Sequence, residues 1–327
     1  MSVVLCGVAV SLPAMLAAQV VEGPAASPGA VSPADPYLPR DLVGGSLSLS
    51  GSRTMGQLAT VWTDGFQHLH PEFESELDVR GSETAFDRLA GERPAVGLLS
   101  RSLDEAEQAN FAKAHPGERI VAVQVAIDAV AVIVHPENPI THLTLEELRT
   151  LFAATDGAAV TWGNIGLEGE WAEAPVNRYL PDENSGSRGQ FAALVLGDAS
   201  FASAQTHGSH SRIVEAVAQD RTAIGVVSRA HAQSETVRAL ALSRRATETP
   251  RHLEPDSIAS GQYPLTRPLS IVVVLNEQGM KSSLVEEFMR YVLSRSGQED
   301  VVKDGFQPLS RAELLEQYDR LGWNQLK

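Results

Sequence analysis

Cysteine is almost absent from this chain of 327 residues; the single one, Cys6, precedes everything that reads as folded. A disulfide framework, a cysteine-ligated zinc site and a thiol nucleophile are thereby excluded from the rest of the chain. Basic residues are scarce too, 26 Lys+Arg against 41 Asp+Glu for a formal net charge of −15. That balance argues against nucleic acid, which needs a basic face. It leaves room for a small anion, because a cleft is set by local dipoles and one or two Arg, while net charge acts over longer, salt-screened distances. The sequence has no Gly-x-Ser-x-Gly elbow, no Walker A loop and no His-Glu-x-x-His motif, so the common nucleophile, phosphate-loop and zinc-hydrolase signatures are missing. His68/His70 and His207/His210 are the close histidine pairs. Both lie in polar stretches near turns, and neither a metal nor a cofactor is expected.

Long apolar runs are likewise few. Val3 to Val21 is apolar and uncharged, and a Pro/Ala/Gly/Ser-rich stretch follows to about Pro39. This reads as a secretory signal whose apolar core ends in Leu16-Ala17-Ala18-Gln19. Residues 1–20 are assigned to that signal-like segment and 21–41 to a flexible linker. No later stretch approaches the roughly 18–20 apolar residues of a membrane span. The expectation is a periplasmic or secreted protein.

What remains is 43% hydrophobic over the whole chain, enough for a large core and two lobes. From Leu42 onward strand-like and helix-like runs alternate, the pattern of an α/β protein. Strands are expected at Leu47–Ser50, Leu77–Arg80, Ala95–Leu99, Val176–Leu180, Ala223–Val227 and Ser270–Leu275. Helices are expected at Met55–His70, Thr84–Leu89, Gly189–Leu196, Arg212–Gln219, Leu284–Ser294 and Arg311–Leu321, with a further helix start at Leu143-Thr144. Ile120 to Val134 is long enough to pass between lobes as a hinge. Ala95 to Arg101 and Ala223 to Arg229 echo each other, Ala-Val-Gly-Leu-Leu-Ser-Arg against Ala-Ile-Gly-Val-Val-Ser-Arg. The lobes are placed at 42–134 plus 265–327 and at 135–264. Trp62, Trp162 and Trp171 read as structural.

Three small, hydroxyl-rich segments each lead into a helical run: Gly51-Ser52-Arg53-Thr54, Gly81-Ser82-Glu83-Thr84 and Ser185-Gly186-Ser187-Arg188. A helix start offers unpaired N–H groups and the positive end of the macrodipole, a seat for an anion once hydroxyls and an Arg are added. The competing explanation is that these Ser and Thr are ordinary N-caps.

Taken in order, these pieces resemble the substrate-binding protein of bacterial phosphate ABC transporters, a type II periplasmic binding protein. The resemblance covers about Leu47 to Ser310. It rests on Gly51 to Met55, Gly81-Ser82, Val96 to Arg101 with Glu105 and Glu107, Ala126 to Val132, Asn138-Pro139 and Leu143 to Phe152 with Trp162. Arg178, Ser185 to Arg188 with Phe191, Ile224-Gly225 and Gly305 to Leu309 complete it.

The resemblance implies two α/β lobes joined by crossing strands and closing over a dehydrated oxyanion. It implies a monomeric receptor, not an enzyme, that delivers inorganic phosphate to a membrane permease. A receptor or sensor for sulfate or arsenate, or a phosphate-ester hydrolase, is the alternative. By the same resemblance Ser52, Thr54 and Ser82 give hydroxyl and backbone donors, with Arg53 near the cleft mouth. Arg178 gives the charged fork, Ser185, Gly186 and Ser187 close from the second lobe, and Ser100 and Arg101 line the floor. Some members carry Asp at the position of Arg101 to accept the proton of monohydrogen phosphate. Asp128 is the candidate for that role here, with a hinge residue bonded to backbone as the other reading. Ser187 stands where Thr is usual.

Overall fold

The longest apolar run forms one strand of 16 residues, Arg119–Val134, buried without interruption over its second half. Continuous rather than alternating burial means that both of its faces are covered, as for a central strand of an α/β sheet. Everything else is arranged about it. The computed structural model describes residues 34–40, 43–154, 159–183 and 185–323. The signal-like segment falls outside them.

In chain order, β1 (Gly45–Gly51) passes through a 3-10 turn (Arg53–Met55) into α1 (Gly56–Leu69), followed by β2 (Phe73–Asp78), β3 (Ala95–Leu99), α2 (Glu105–Ala114) and the long strand, β4 (Arg119–Val134). Next come β5 (His142–Thr144), α3 (Leu145–Phe152), β6 (Asn177–Pro181), α4 (Gly186–Phe191), β7 (Gln205–His207), α5 (His210–Ala218) and β8 (Ala223–Ser228). β9 (Arg238–Ala239), β10 (Ala241–Ser243), α6 (Pro255–Ala259), β11 (Thr266–Asn276), β12 (Gly279–Met280), α7 (Ser283–Val292), α8 (Arg295–Lys303) and α9 (Arg311–Arg320) complete the fold.

The main sheet runs β2-β1-β3-β11-β4-β8-β6-β7. β4 changes partners part-way: residues up to Ala129 pair with β11, and Val130–Val134 pair with β8. β1, β2 and β3 are mutually parallel, and so are β6, β7 and β8. Since β3 and β4 are both antiparallel to β11, while β8 is antiparallel to β4, the two parallel sets point toward each other. The register makes this concrete. Leu99 at the end of β3 lies level with Ser270 and Gln124, whereas Ser228 at the end of β8 pairs with Val130. The carboxyl ends of both sets therefore meet over Gln124–Val130, the place where open α/β sheets hold ligands.

Local chemistry accounts for most elements. Thr144 caps α3 with a reciprocal capping box through Glu147, as its Thr-x-x-Glu sequence demands. The 95–101 and 223–229 echo is structural: each Gly marks a strand against which another segment lies too close for a side chain. A Cβ on Gly97 would stand 2.4 Å from the Ala85 carbonyl oxygen, and one on Gly225 2.8 Å from Val217 Cγ2. The indole N–H groups of Trp62 and Trp162 donate to the Gly297 and Thr222 carbonyls, so both rings are core members with their one polar atom satisfied.

Three expectations need correction. The strand expected at Leu77–Arg80 is centred earlier, at Phe73–Asp78, where a mostly exposed, acid-rich segment forms the sheet edge. The helix expected at Thr84–Leu89 is a single 3-10 turn, Ser82–Thr84, followed by turns. The described part of the 21–41 linker is tied down rather than free. The Asp35 carbonyl accepts from Arg295 N–H at 2.8 Å, and the Tyr37 hydroxyl donates to the buried Glu287 at 2.8 Å.

Candidate functional site

Three hydroxyls converge at the strand ends of the first set. Ser52, just past β1, is 2% exposed, and its Oγ donates to Ser100 Oγ, just past β3, at 2.9 Å. Ser82 completes the group: its Oγ lies 3.4 Å from Ser100 Oγ and accepts from Ser100 N–H at 3.3 Å. Gly51 makes the approach possible. It has φ +134°, and a Cβ there would lie 2.2 Å from the Leu98 carbonyl oxygen, a combination only glycine tolerates. Ser52 is not the backbone donor it was expected to be, because its N–H is spent on Leu98 O at 2.9 Å.

None of the expected anion-segment serines serves as an N-cap. Ser52 and Ser185 stand at N-cap positions without a side-chain cap bond. Elsewhere Asp104, Thr144, Ser209, Ser282, Ser294 and Ser310 do cap their helices. The chain thus uses side-chain caps freely, while the hydroxyls of Ser52 and Ser82 bond to Ser100 instead.

The cation at this site is Arg267, which the sequence reading missed. It faces Asp128 across the β11–β4 pair, and its Nε and Nη2 donate to Asp128 Oδ2 at 3.0 and 2.9 Å. Nη2 also reaches Thr54 Oγ1 at 3.0 Å and the Gly186 carbonyl at 3.1 Å. The side chains of Arg267 and Asp128 are 16% and 5% exposed, so this is a buried pair and removing either partner would strand a charge. Asp128 is indeed held in the hinge, but by a guanidinium rather than by backbone. Thr54 and Gly186 touch: a Cβ on Gly186 would stand 2.3 Å from Thr54 Oγ1. Arg267 therefore bonds to both sheet halves where they meet.

Beside this contact lies a cavity of about 410 Å³. Ser82, Ser100 and Arg101 line it from one half, Gly189, Gln190, Ala193 and Leu194 from the other, and Arg267 from the hinge. Arg101 enters it as a neutralised group, since its guanidinium donates to Glu107 at 2.6 and 2.9 Å. That pairing holds the Glu107 carboxyl below its ordinary range.

Several expected site residues lie elsewhere. Arg178, on β6, donates through Nε to the Leu151 carbonyl and through Nη1 to Ser203 O at 3.5 Å. Its Nη2 is buried without a partner among the described residues, and burial lowers its pKa. It braces β6 against α3 and does not line the cavity. Arg53 is exposed on the 3-10 turn and does not line it either. Ser185 and Ser187 are absent from the lining, which the second half supplies one turn later, from Gly189 onward; of the expected trio only Gly186 reaches the site, through its carbonyl.

A signal for Arg267 was present. Asp128 is the one charge within Ile120–Val134, and Arg267 is the one charge within the later apolar strand Thr266–Asn276. Two lone opposite charges in buried strands are each intolerable unless paired. Gln190 and Leu194 gave no such signal, because the turn of helix that faces a neighbouring lobe is a property of assembly.

Comparison with known proteins places this geometry. The model of the PBP superfamily domain matches residues 38–296. The chain is 33% identical over 295 residues to the phosphate-binding protein PstS of Pseudomonas aeruginosa, covering 88% of this chain and 90% of that protein. It is 26% identical over 267 residues to the phosphate-binding protein PstS of Bacillus subtilis, 81% of each. Among solved structures, a possible phosphate binding protein from Planctomyces limnophilus superposes with TM-score 0.74 at 24% identity, over 87% of this chain and 100% of that one. An ABC-type phosphate transport receptor from Vibrio cholerae gives 0.62 at 22% identity, over 81% and 100%. These two likenesses bear on the fold, which is the two-lobe, cleft-bearing α/β architecture.

Proposed function

The chain belongs to the family of the phosphate-binding protein PstS within the PBP superfamily, and from that membership we propose that it binds inorganic phosphate outside the cytoplasm and delivers it to an ABC-type permease. The observation that carries the reading is the meeting of three uncapped strand-end hydroxyls with Arg267 at the carboxyl ends of two facing strand sets. Ser82, Ser100, Arg101 and Arg267, which line the cavity, with Ser52 and Thr54 bonded to Ser100 and Arg267 behind them, are the proposed ligand shell, and Arg178 is left out of it. Micromolar affinity corresponds to about −8 kcal/mol. Charge-assisted bonds of roughly 1.5–3 kcal/mol each from two guanidinium groups and the hydroxyls reach that figure after ordering costs.

The lobes are proposed as 42–134 plus 265–327 and 135–264; β11 starts at Thr266, near the second boundary, whereas β4 changes partners at Ala129/Val130, ahead of the first, so that Val130–Val134 pair with β8. Ligand would favour the arrangement in which both lobes contribute donors. A monomeric receptor is favoured over an ester hydrolase because Ser52 Oγ donates to another serine rather than to a base.

Calorimetric titration of the ligand-stripped protein with phosphate, then sulfate and arsenate, tests the reading. Saturable phosphate binding at micromolar affinity or tighter is expected. Absence of binding with every anion would remove the function and leave the fold.

A further inference from the structure

The long strand β4 has a free edge in its first half. From Arg119 to Gln124 it pairs on one side with β11, residue for residue. On the other side β8 begins only at Val130, and the isolated bridge to Gln307 sits at Ile127. A strand's N–H and C=O groups lie in the sheet plane and alternate from side to side. The Gln124 N–H donates at 2.9 Å to Gln317 Oε1 on α9, so it points away from β11. By alternation the N–H and C=O groups of Ala122 and Ile120 point the same way, and among the described residues nothing bonds to them on that side. An open edge of this kind is a template for another strand.

A cavity of about 640 Å³ runs along Ile120–Gln124, with Ala109 and Ala112 of α2 on one flank and Arg320 of α9 on the other. The two alanines are exposed and small, which leaves room for a backbone between the helices. The cavity shares only Ser102 and Pro268 with the one in the cleft. Its charged lining residues are Arg119 and Arg320, with no Asp or Glu among them. That reverses the balance of the chain, 41 Asp+Glu against 26 Lys+Arg. Both arginines are exposed, and neither is in an ion pair among the described residues.

We propose that the Ile120–Gln124 edge of β4 takes up an extended peptide segment of a partner protein as an added strand, and that the segment carries acidic side chains which meet Arg119 and Arg320. Main-chain bonds to Ile120 and Ala122 supply the affinity, as in other strand additions. The two guanidinium groups select the charge of the segment. The proposal does not depend on what the cleft binds.

The test is fluorescence anisotropy with the full chain and a labelled, end-blocked heptapeptide, Glu-Val-Glu-Thr-Glu-Val-Glu. The same peptide with Lys for Glu is expected to bind at least ~10-fold more weakly. So is the acidic peptide with its amides N-methylated, which has no N–H to give the edge. Arg119→Ala combined with Arg320→Ala should weaken binding at least ~5-fold, the loss of two exposed pairs. Ala122→Pro removes an N–H that the β4–β11 ladder does not use, so it should fold and abolish binding. Thermal melts check that each variant folds, and hydrogen exchange decides if Ala122→Pro does not. In the free protein the Ile120 and Ala122 amides should exchange at least ~10-fold faster than those of Val121 and Val123, and should slow when the peptide binds.

Failure of the acidic peptide to bind overturns the inference. So does equal binding of the Lys or N-methylated peptide, unchanged affinity in the arginine variant, or binding by a folded Ala122→Pro. Slow exchange of Ile120 and Ala122 in the free protein would mean that the chain covers its own edge. The same protection in a concentration-dependent dimer would put a second copy there, and either result overturns the inference.

Discussion

Arg178 and Arg267 show how one residue type serves two ends. Arg178 gives its guanidinium to backbone carbonyls of its own half, whereas Arg267 gives one nitrogen to a carboxylate, a hydroxyl and a carbonyl drawn from both halves. Arg267→Ala is therefore expected to weaken phosphate binding more than tenfold, the loss of at least one charge-assisted bond. Arg178→Ala should leave affinity within about twofold and lower stability instead. Because Arg267→Ala also strands Asp128, the pair Arg267→Met with Asp128→Asn is the control: it should recover much of the lost stability without recovering binding. Titration calorimetry and denaturation of the four proteins check this. If binding falls with Arg178 and not with Arg267, the assignment of the cation is wrong.

At the scale of elements, the echoed strands β3 and β8 give a graded expectation. The obstacle to a Cβ at Gly97 is the backbone oxygen of Ala85, while at Gly225 it is the methyl ends of Val217 and Ile213. Side-chain ends can turn aside and backbone cannot. Gly97→Ala should cost more than Gly225→Ala, with overpacking of roughly 1–3 kcal/mol as the scale, measured as the shift in the urea midpoint. Equal costs would mean that the turn after Ser82 yields as easily as a side chain.

Elements with a strong apolar pattern were legible from sequence: β1, α1, β3, β4, α3, α5, β8, β11, α7 and α9 lie close to where the patterns put them. α8 was not foreseen. Its buried side include Gly297, Gln298 and Asp300, with Val301 the one large apolar member, so its inward face is polar. α2 buries only Phe111 and is held by the Asp104–Glu107 capping box. The hydroxyl cluster was legible because strand ends and glycines announce themselves. The need of Arg267 for a partner was legible from its lone charge, but its contacts with Thr54 and Gly186 were not, since they form only where the two halves meet.

For the molecule as a whole, two half-buried groups tilt the pH dependence of stability in opposite directions. Burial and the neighbouring His231 push His210 down to about 4, whereas an unfolded histidine titrates near 6.5. The unfolded chain then binds a proton that the native state refuses, so this contribution is present above about 6.5 and is lost as pH falls toward about 4. Burial, with Asp128 adding to it, raises Asp304 from 3.8 to about 6. That contribution is present below about 3.8 and is lost as pH rises through about 6. His210→Asn should make the melting temperature less sensitive to acid, and Asp304→Asn should make it more so while raising it at pH 7.5. Melting curves between pH 4 and 8 check both signs. A variant profile parallel to wild type would remove that group from the balance.

The contact of Arg267 with Thr54 and Gly186 has a kinetic consequence. Nε and Nη2 of this guanidinium are spent on Asp128, Thr54 and Gly186, so an anion that takes a bond from Nη2 exchanges with one of those partners rather than filling an unclaimed place. Binding becomes a substitution, with the Gly186 carbonyl as the leaving group. Its rate then saturates with anion concentration at the frequency with which the Arg267–Gly186 bond opens, below the pace of diffusion. Replacing Thr54 by Val, which takes away one of the competing acceptors, would raise that ceiling, so that a donor removed from the ligand's shell speeds its capture.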